Sequence, residues 1–108
     1  DFEAGLAFLM DWPALAEAQA MLVARAAEVD GASPRLADWA SRLEARHPLG
    51  ALILTRAMIR AGAPAKPSRL LQAELADAQA LAARAPDLKG VAAHEDFVRD
   101  LDRGGPRR

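Results

Sequence analysis

The sequence contains no cysteine, which excludes disulfides, thiol nucleophiles and thiolate metal sites. It has no tyrosine, and aromatics make up only 5% of residues. Neither sign of charge prevails. Fourteen Lys and Arg stand against 15 Asp and Glu, a formal net charge of −1, which leaves no bulk field to draw in nucleic acid or an anionic membrane. No apolar run approaches the roughly 18 residues of a membrane span, and no basic-then-apolar signal opens the chain. No alternating β-branched pattern marks a strand. Nucleophile-elbow, phosphate-loop and dinucleotide glycine patterns are missing, and the only histidines, His47 and His94, form no metal-spaced cluster. We therefore expect no catalytic residue, no cofactor and no metal. The lack of cysteine fits a cytoplasmic protein.

What is present in excess is alanine, 27 of 108 residues. Alanine favours helix but buries little area, so the core should be thin and helical. Twelve of the 14 basic residues are arginine, and with the alanine this has the look of a GC-rich bacterial genome. The length suits one domain. The sequence starts at Asp1 directly on a helical pattern, which reads as part of a longer chain. Residues 1–103 are expected to form one helical domain and 104–108 a disordered tail.

Residues 47–62 read as the central helix. Leu54, Met58 and Ala61 fall on one side, Leu52 and Ile59 on another, and charge is confined to a strip holding Arg56 and Arg60. Pro48 suits the first helical position, and Gly62 can close the helix in the left-handed conformation. Before it, Phe2, Leu6, Leu9 and Met10 give a short first helix. Asp11 is placed to cap a second, running to about Val29 and stopped by Gly31. Ser33-Pro34 should open a third over 34–46, with Leu36, Trp39, Ala40, Leu43 and His47 on one face. The turn after it is so short that helices three and four should form an antiparallel hairpin.

Ser68 should cap a fifth helix to about Ala85, Pro86 should stop it, and a last helix over 93–102 carries Phe97, Val98 and Leu101. Glu74 sits in the middle of the apolar face of the fifth helix. A carboxylate there is costly unless paired, so a structural ion pair with Arg56 or Arg60 is expected. Segments 43–48 and 81–86 are alike and each closes a helix. Together with two-faced helices and short turns, they favour stacked helical hairpins.

The segments Phe8-Leu9-Met10-Asp11-Trp12-Pro13, Glu28-Val29-Asp30-Gly31, Leu43-Glu44-Ala45-Arg46-His47-Pro48-Leu49 and Arg56-Ala57-Met58-Ile59 resemble the C-terminal region of an uncharacterised, Ala/Arg-rich bacterial family. That resemblance implies tetratricopeptide-like or α-solenoid-like hairpins. It carries no activity and no site residues.

Two constellations bear on function. Arg35, Arg42 and Arg46 lie within about 40° of one another around the third helix and flank Trp39, a surface able to hold phosphates or an acidic peptide. Neutralisation by Asp38 and Glu44, with Trp39 in the core, is the plainer structural account. Glu95, Asp96, Asp100 and Asp102 lack calcium-loop spacing and read as a solvated helix face. The expectation is an all-α interaction or scaffolding module of five or six helices. Its partner would be another protein or an upstream part of its own chain, and its oligomeric state stays open. The alternative is a nucleic-acid accessory domain using the arginine stripe, and an enzyme would need a pocket around Glu74 or His47.

Overall fold

In the computed structural model, which describes residues 1–63, 66–85 and 87–104, Pro48 starts the helix on which the others pack. Six α-helices follow in order: α1 (Phe2–Asp11), α2 (Leu15–Ala24), α3 (Leu36–Leu43), α4 (Pro48–Gly62), α5 (Ser68–Arg84) and α6 (His94–Gly104). A 3₁₀ turn spans Ala26–Glu28, and no strand occurs among the described residues. The fold is all-α. The expected helix stop at Pro86 and the tail at 105–108 lie outside the described residues; Gly104, counted with that tail, is the last residue of α6.

Helix α4 packs against α2, α3 and α5, as its all-round apolarity requires. Leu49, Ala51, Leu52, Ile53, Leu54 and Ile59 of α4 are all buried, and Leu22, Leu43 and Ala78 meet them in one core from the surrounding helices. Close approach of α2 to α4 depends on Gly50. A Cβ there would stand 3.3 Å from both Gln19 Cβ and Leu43 Cδ1. Gln19 Oε1 accepts the Gly50 N–H at 2.8 Å, satisfying one of the donors that a helix start leaves unpaired. Helices α3 and α4, joined by four residues, pack directly on each other. Arg84 of α5 donates to Glu44 O and Ala45 O in that joint at 2.7 and 3.3 Å. Its radius of gyration, 13.3 Å, is that of a fully packed chain of this length.

Several helix ends differ from the sequence reading because side chains found better partners. Asp11 belongs to α1, and Ala14 precedes α2 without a side-chain cap. Helix α2 stops at Ala24, since Arg25 leaves helical dihedrals (φ −132°) and its side chain grips Glu28 while lying over the Phe2 ring. Gly31 is needed for space rather than for a left-handed turn: a Cβ there would run into the Ala57 carbonyl of α4. Ser33 Oγ donates to Glu3 at 2.9 Å and accepts from Arg35 N–H, so α3 begins only at Leu36. Gly62 stays in α4, whose following residue Ala63 is right-handed.

Candidate functional site

The arginine stripe is tied down by its own molecule. Trp39 is 4% exposed and belongs to the core. Arg35 lies over its ring, with the guanidinium carbon 5.9 Å from the centroid, and reaches Glu3 of α1 at 3.8 Å. Arg42 donates to Met10 O at 2.7 Å, meeting a carbonyl in the last turn of α1, and faces Asp38 at 3.5 Å. Arg46 is exposed beyond the end of α3 and forms no ion pair among the described residues. Arg35 and Arg42 therefore bind α1 to α3, which leaves little of a continuous cationic surface around Trp39.

The partner expected for Glu74 is corrected. Its Oε2 receives the Lys66 ammonium at 2.8 Å, while Oε1 is buried without a hydrogen bond. Lys66 lies in the connection leading into α5 and reaches Glu74 from there. Arg56 and Arg60 turn instead toward α6. A cavity of about 480 Å³ beside Glu74 is lined by Thr55, Asp77, Leu81 and Arg84 but not by His47, so the two candidate acid/base groups do not share a pocket. His47 makes no side-chain cap, and the Glu44 and Ala45 carbonyls just before it accept from Arg84. No group of acidic or histidine residues able to hold a metal ion occurs among the described residues.

Arg56 is the feature that sequence reading placed wrongly. Read as part of a charged strip and as a candidate partner of Glu74, it is 3% exposed. Its Nη1 donates to Ala92 O at 2.7 Å, but Nε and Nη2 are buried without partners. The guanidinium carbons of Arg56 and Arg60 each stand 4.9 Å from the centroid of the Phe97 ring, which anchors α6. Burial, with the like charge of Arg60 adding to it, pushes the Arg56 pKa down from its ordinary value.

Sequence reading also passed over a second feature. Phe8 and Trp12, at i and i+4 around the end of α1, are 63% and 71% exposed. Their rings stack with centroids 6.0 Å apart and planes at 14°. The turn after them contains a cis Trp12–Pro13 bond. Asp1, Glu3 and Asp11 surround the pair in sequence, and α1 carries no basic residue. The available signal was the spacing of two aromatics on the face opposite Phe2, Leu6 and Met10.

Residues 1–108 match a family described as "Family of unknown function (DUF6880)". The chain belongs to that family. No curated protein and no solved structure matches it. Membership in the DUF6880 family agrees with the resemblance read from the segments around Trp12, Gly31 and His47 in that the family is uncharacterised, and it brings no activity with it. Among the described residues, no helix is long and apolar enough to cross a membrane.

Proposed function

We propose that this member of the DUF6880 family is a protein-interaction or scaffolding module of the cytoplasm, built from helical hairpins stacked in the tetratricopeptide-like manner. The observation that carries the reading is the exposed, stacked Phe8–Trp12 pair on α1. Large aromatics left in water on a chain with so few of them are the usual anchors of protein recognition, and stacking holds the two rings in one orientation before a partner arrives. The cysteine-free composition supports the cytoplasmic part of the proposal.

The chemistry around the pair selects the partner. The C-terminal end of α1 points its negative dipole toward Trp12, exposed Asp11 adds a full charge, and an indole face attracts cations. The fitting occupant is an apolar protein segment flanked by Lys or Arg. Docking there buries two rings against an apolar side chain while the acidic rim sets orientation and association rate. The stripe of Ala73, Ala76, Ala80 and Ala83 on α5 is also exposed, but it offers little area per residue and serves poorly as an anchor.

The test is comparative capture from the source cell with wild type, Phe8→Ala/Trp12→Ala and Arg46→Glu, each first shown by circular dichroism to be equally helical. A protein retained by wild type and Arg46→Glu but lost by the aromatic variant supports docking through α1. Retention by the aromatic variant, or capture of nucleic acid with steep salt dependence and loss in Arg46→Glu, contradicts it and favours the arginine-based alternative.

A further inference from the structure

The side-chain edge left bare on Arg56 has a worked counterpart in the same molecule. Nε–H and Nη2–H of an arginine lie side by side and point the same way, a spacing that matches two oxygens of one oxyanion. Arg25 uses this edge on Glu28, at 2.7 Å from Nε and 2.8 Å from Nη2. On Arg56 these same two nitrogens have no acceptor, and they are buried. A buried guanidinium whose charge no acid meets is strongly disfavoured, and the fold keeps it on the central helix nonetheless.

A cavity of about 260 Å³ adjoins Arg56 between α2, α4 and the connection from α5 to α6. Among the described residues its charged lining is Arg56, Arg60 and Lys89, with no acid. Neither Arg60 nor Lys89 forms an ion pair among the described residues; Asp87 accepts the backbone N–H of Lys89, not its ammonium. Val23, Ile53 and Val91 supply apolar walls. Lys89 is the only described non-glycine residue with positive φ (51°), followed by Gly90 at 84°, a backbone arrangement that costs energy and holds the lysine at the rim.

We propose that this cavity binds a phosphate group, the bare edge of Arg56 taking two of its oxygens and Arg60 and Lys89 balancing the remaining charge. Three cations without an acid suit a dianion better than a single carboxylate. The volume lies below the roughly 300–1,000 Å³ of pockets that enclose whole drug-sized ligands, so what it can enclose is inorganic phosphate or the phosphate end of a small monoester. Both free nitrogens are out of solvent contact, so binding through them requires a local side-chain rearrangement at the edge of the cavity.

The experiment is titration of the ¹⁵N-labelled chain with sodium phosphate at constant ionic strength, set by sodium chloride, following arginine Nε–H signals and the amides of Gly90, Val91 and Ala92. Phenyl phosphate and acetate are titrated in parallel. The expected result is saturable movement of the Arg56 Nε–H with phosphate and phenyl phosphate, with acetate weaker. Arg60→Gln and Lys89→Gln, both at exposed positions and each first shown by circular dichroism to be as helical as wild type, should each weaken phosphate affinity roughly fivefold. Absence of saturation above the chloride background, equal affinity for acetate, or unchanged affinity in both variants would overturn the proposal.

Discussion

Arg35 and Arg42, seven residues apart along α3 and its cap, and Arg56 and Arg60, four apart on α4, each share one helix face, yet they end in opposite situations. Arg35 and Arg42 reach across to Glu3 and Met10 O of α1, and Arg42 also faces Asp38 of its own helix. Arg56 and Arg60 reach across to α6 and find the Phe97 ring and one carbonyl, with no acid. The difference lies in the neighbouring helix. Helix α1 is acidic at both ends and offers free carbonyls in its last turn, whereas on α6 Asp96 is taken up by Arg99 of the same helix at 2.7 Å. A basic stripe on one helix becomes glue or an unmet charge according to what the next helix presents.

Both groups hang from α4, directly or through α3, so the largest effect should come from hollowing that helix. Leu52 is fully buried, and Leu52→Ala should cost about 2–5 kcal/mol in urea unfolding while loosening both regions together. The comparison sharpens with methionine in place of each arginine. Arg56→Met, in phosphate-free chloride buffer, should raise stability by about 1 kcal/mol, because an unmet buried charge is exchanged for a flexible apolar chain and exposed Ala92 O can turn to water. Arg42→Met should lower it by about 1 kcal/mol through loss of the bond to Met10 O. Equal signs in the two unfolding curves would break the distinction. The two tryptophans give a smaller effect: iodide should quench Trp12 readily and Trp39 poorly, and Trp12→Ala should change stability by no more than about 0.5 kcal/mol.

The smallest effect belongs to Arg25 and Glu28. The hydrogen bond from Arg25 holds the Glu28 carboxyl below its usual pKa. The folded pKa is the lower one, so the pair contributes stability above the ordinary glutamate range and loses it as pH falls through the folded value. Glu28→Gln should flatten that acid limb slightly in a pH series of thermal melts.

Much of the fold was legible because helix-forming composition, prolines at starts and apolar spacing all agree. Pro48 begins α4, Leu36, Trp39, Ala40 and Leu43 are buried together, and His94 opens α6 as their patterns require. Helix ends were less legible, since Ser33, Arg25 and Gln19 chose partners 3 to 31 residues away that no local rule identifies. The sites were least legible. On a helical wheel Arg56 shares a strip with exposed Arg60, and only the docking of Phe97 and the Ala92 carbonyl over that strip reveals that one is buried and the other not. Glu74 escaped for a related reason: its cation comes from the loop residue Lys66, which no helical spacing links to it. Phe8 and Trp12 were visible as letters, and their exposure follows only once Phe2, Leu6 and Met10 are seen to use the opposite face of α1.

The most direct measurement is a pair of thermal melts of wild type and Arg56→Met, in chloride and in phosphate at equal ionic strength. The account predicts that Arg56→Met is the more stable in chloride. Phosphate should then raise the wild-type Tm, in proportion to ligand bound only by the folded state, and leave the variant unmoved. A wild type indifferent to phosphate, or a variant destabilised in chloride, would contradict the view that α4 carries a buried charge waiting for its oxyanion.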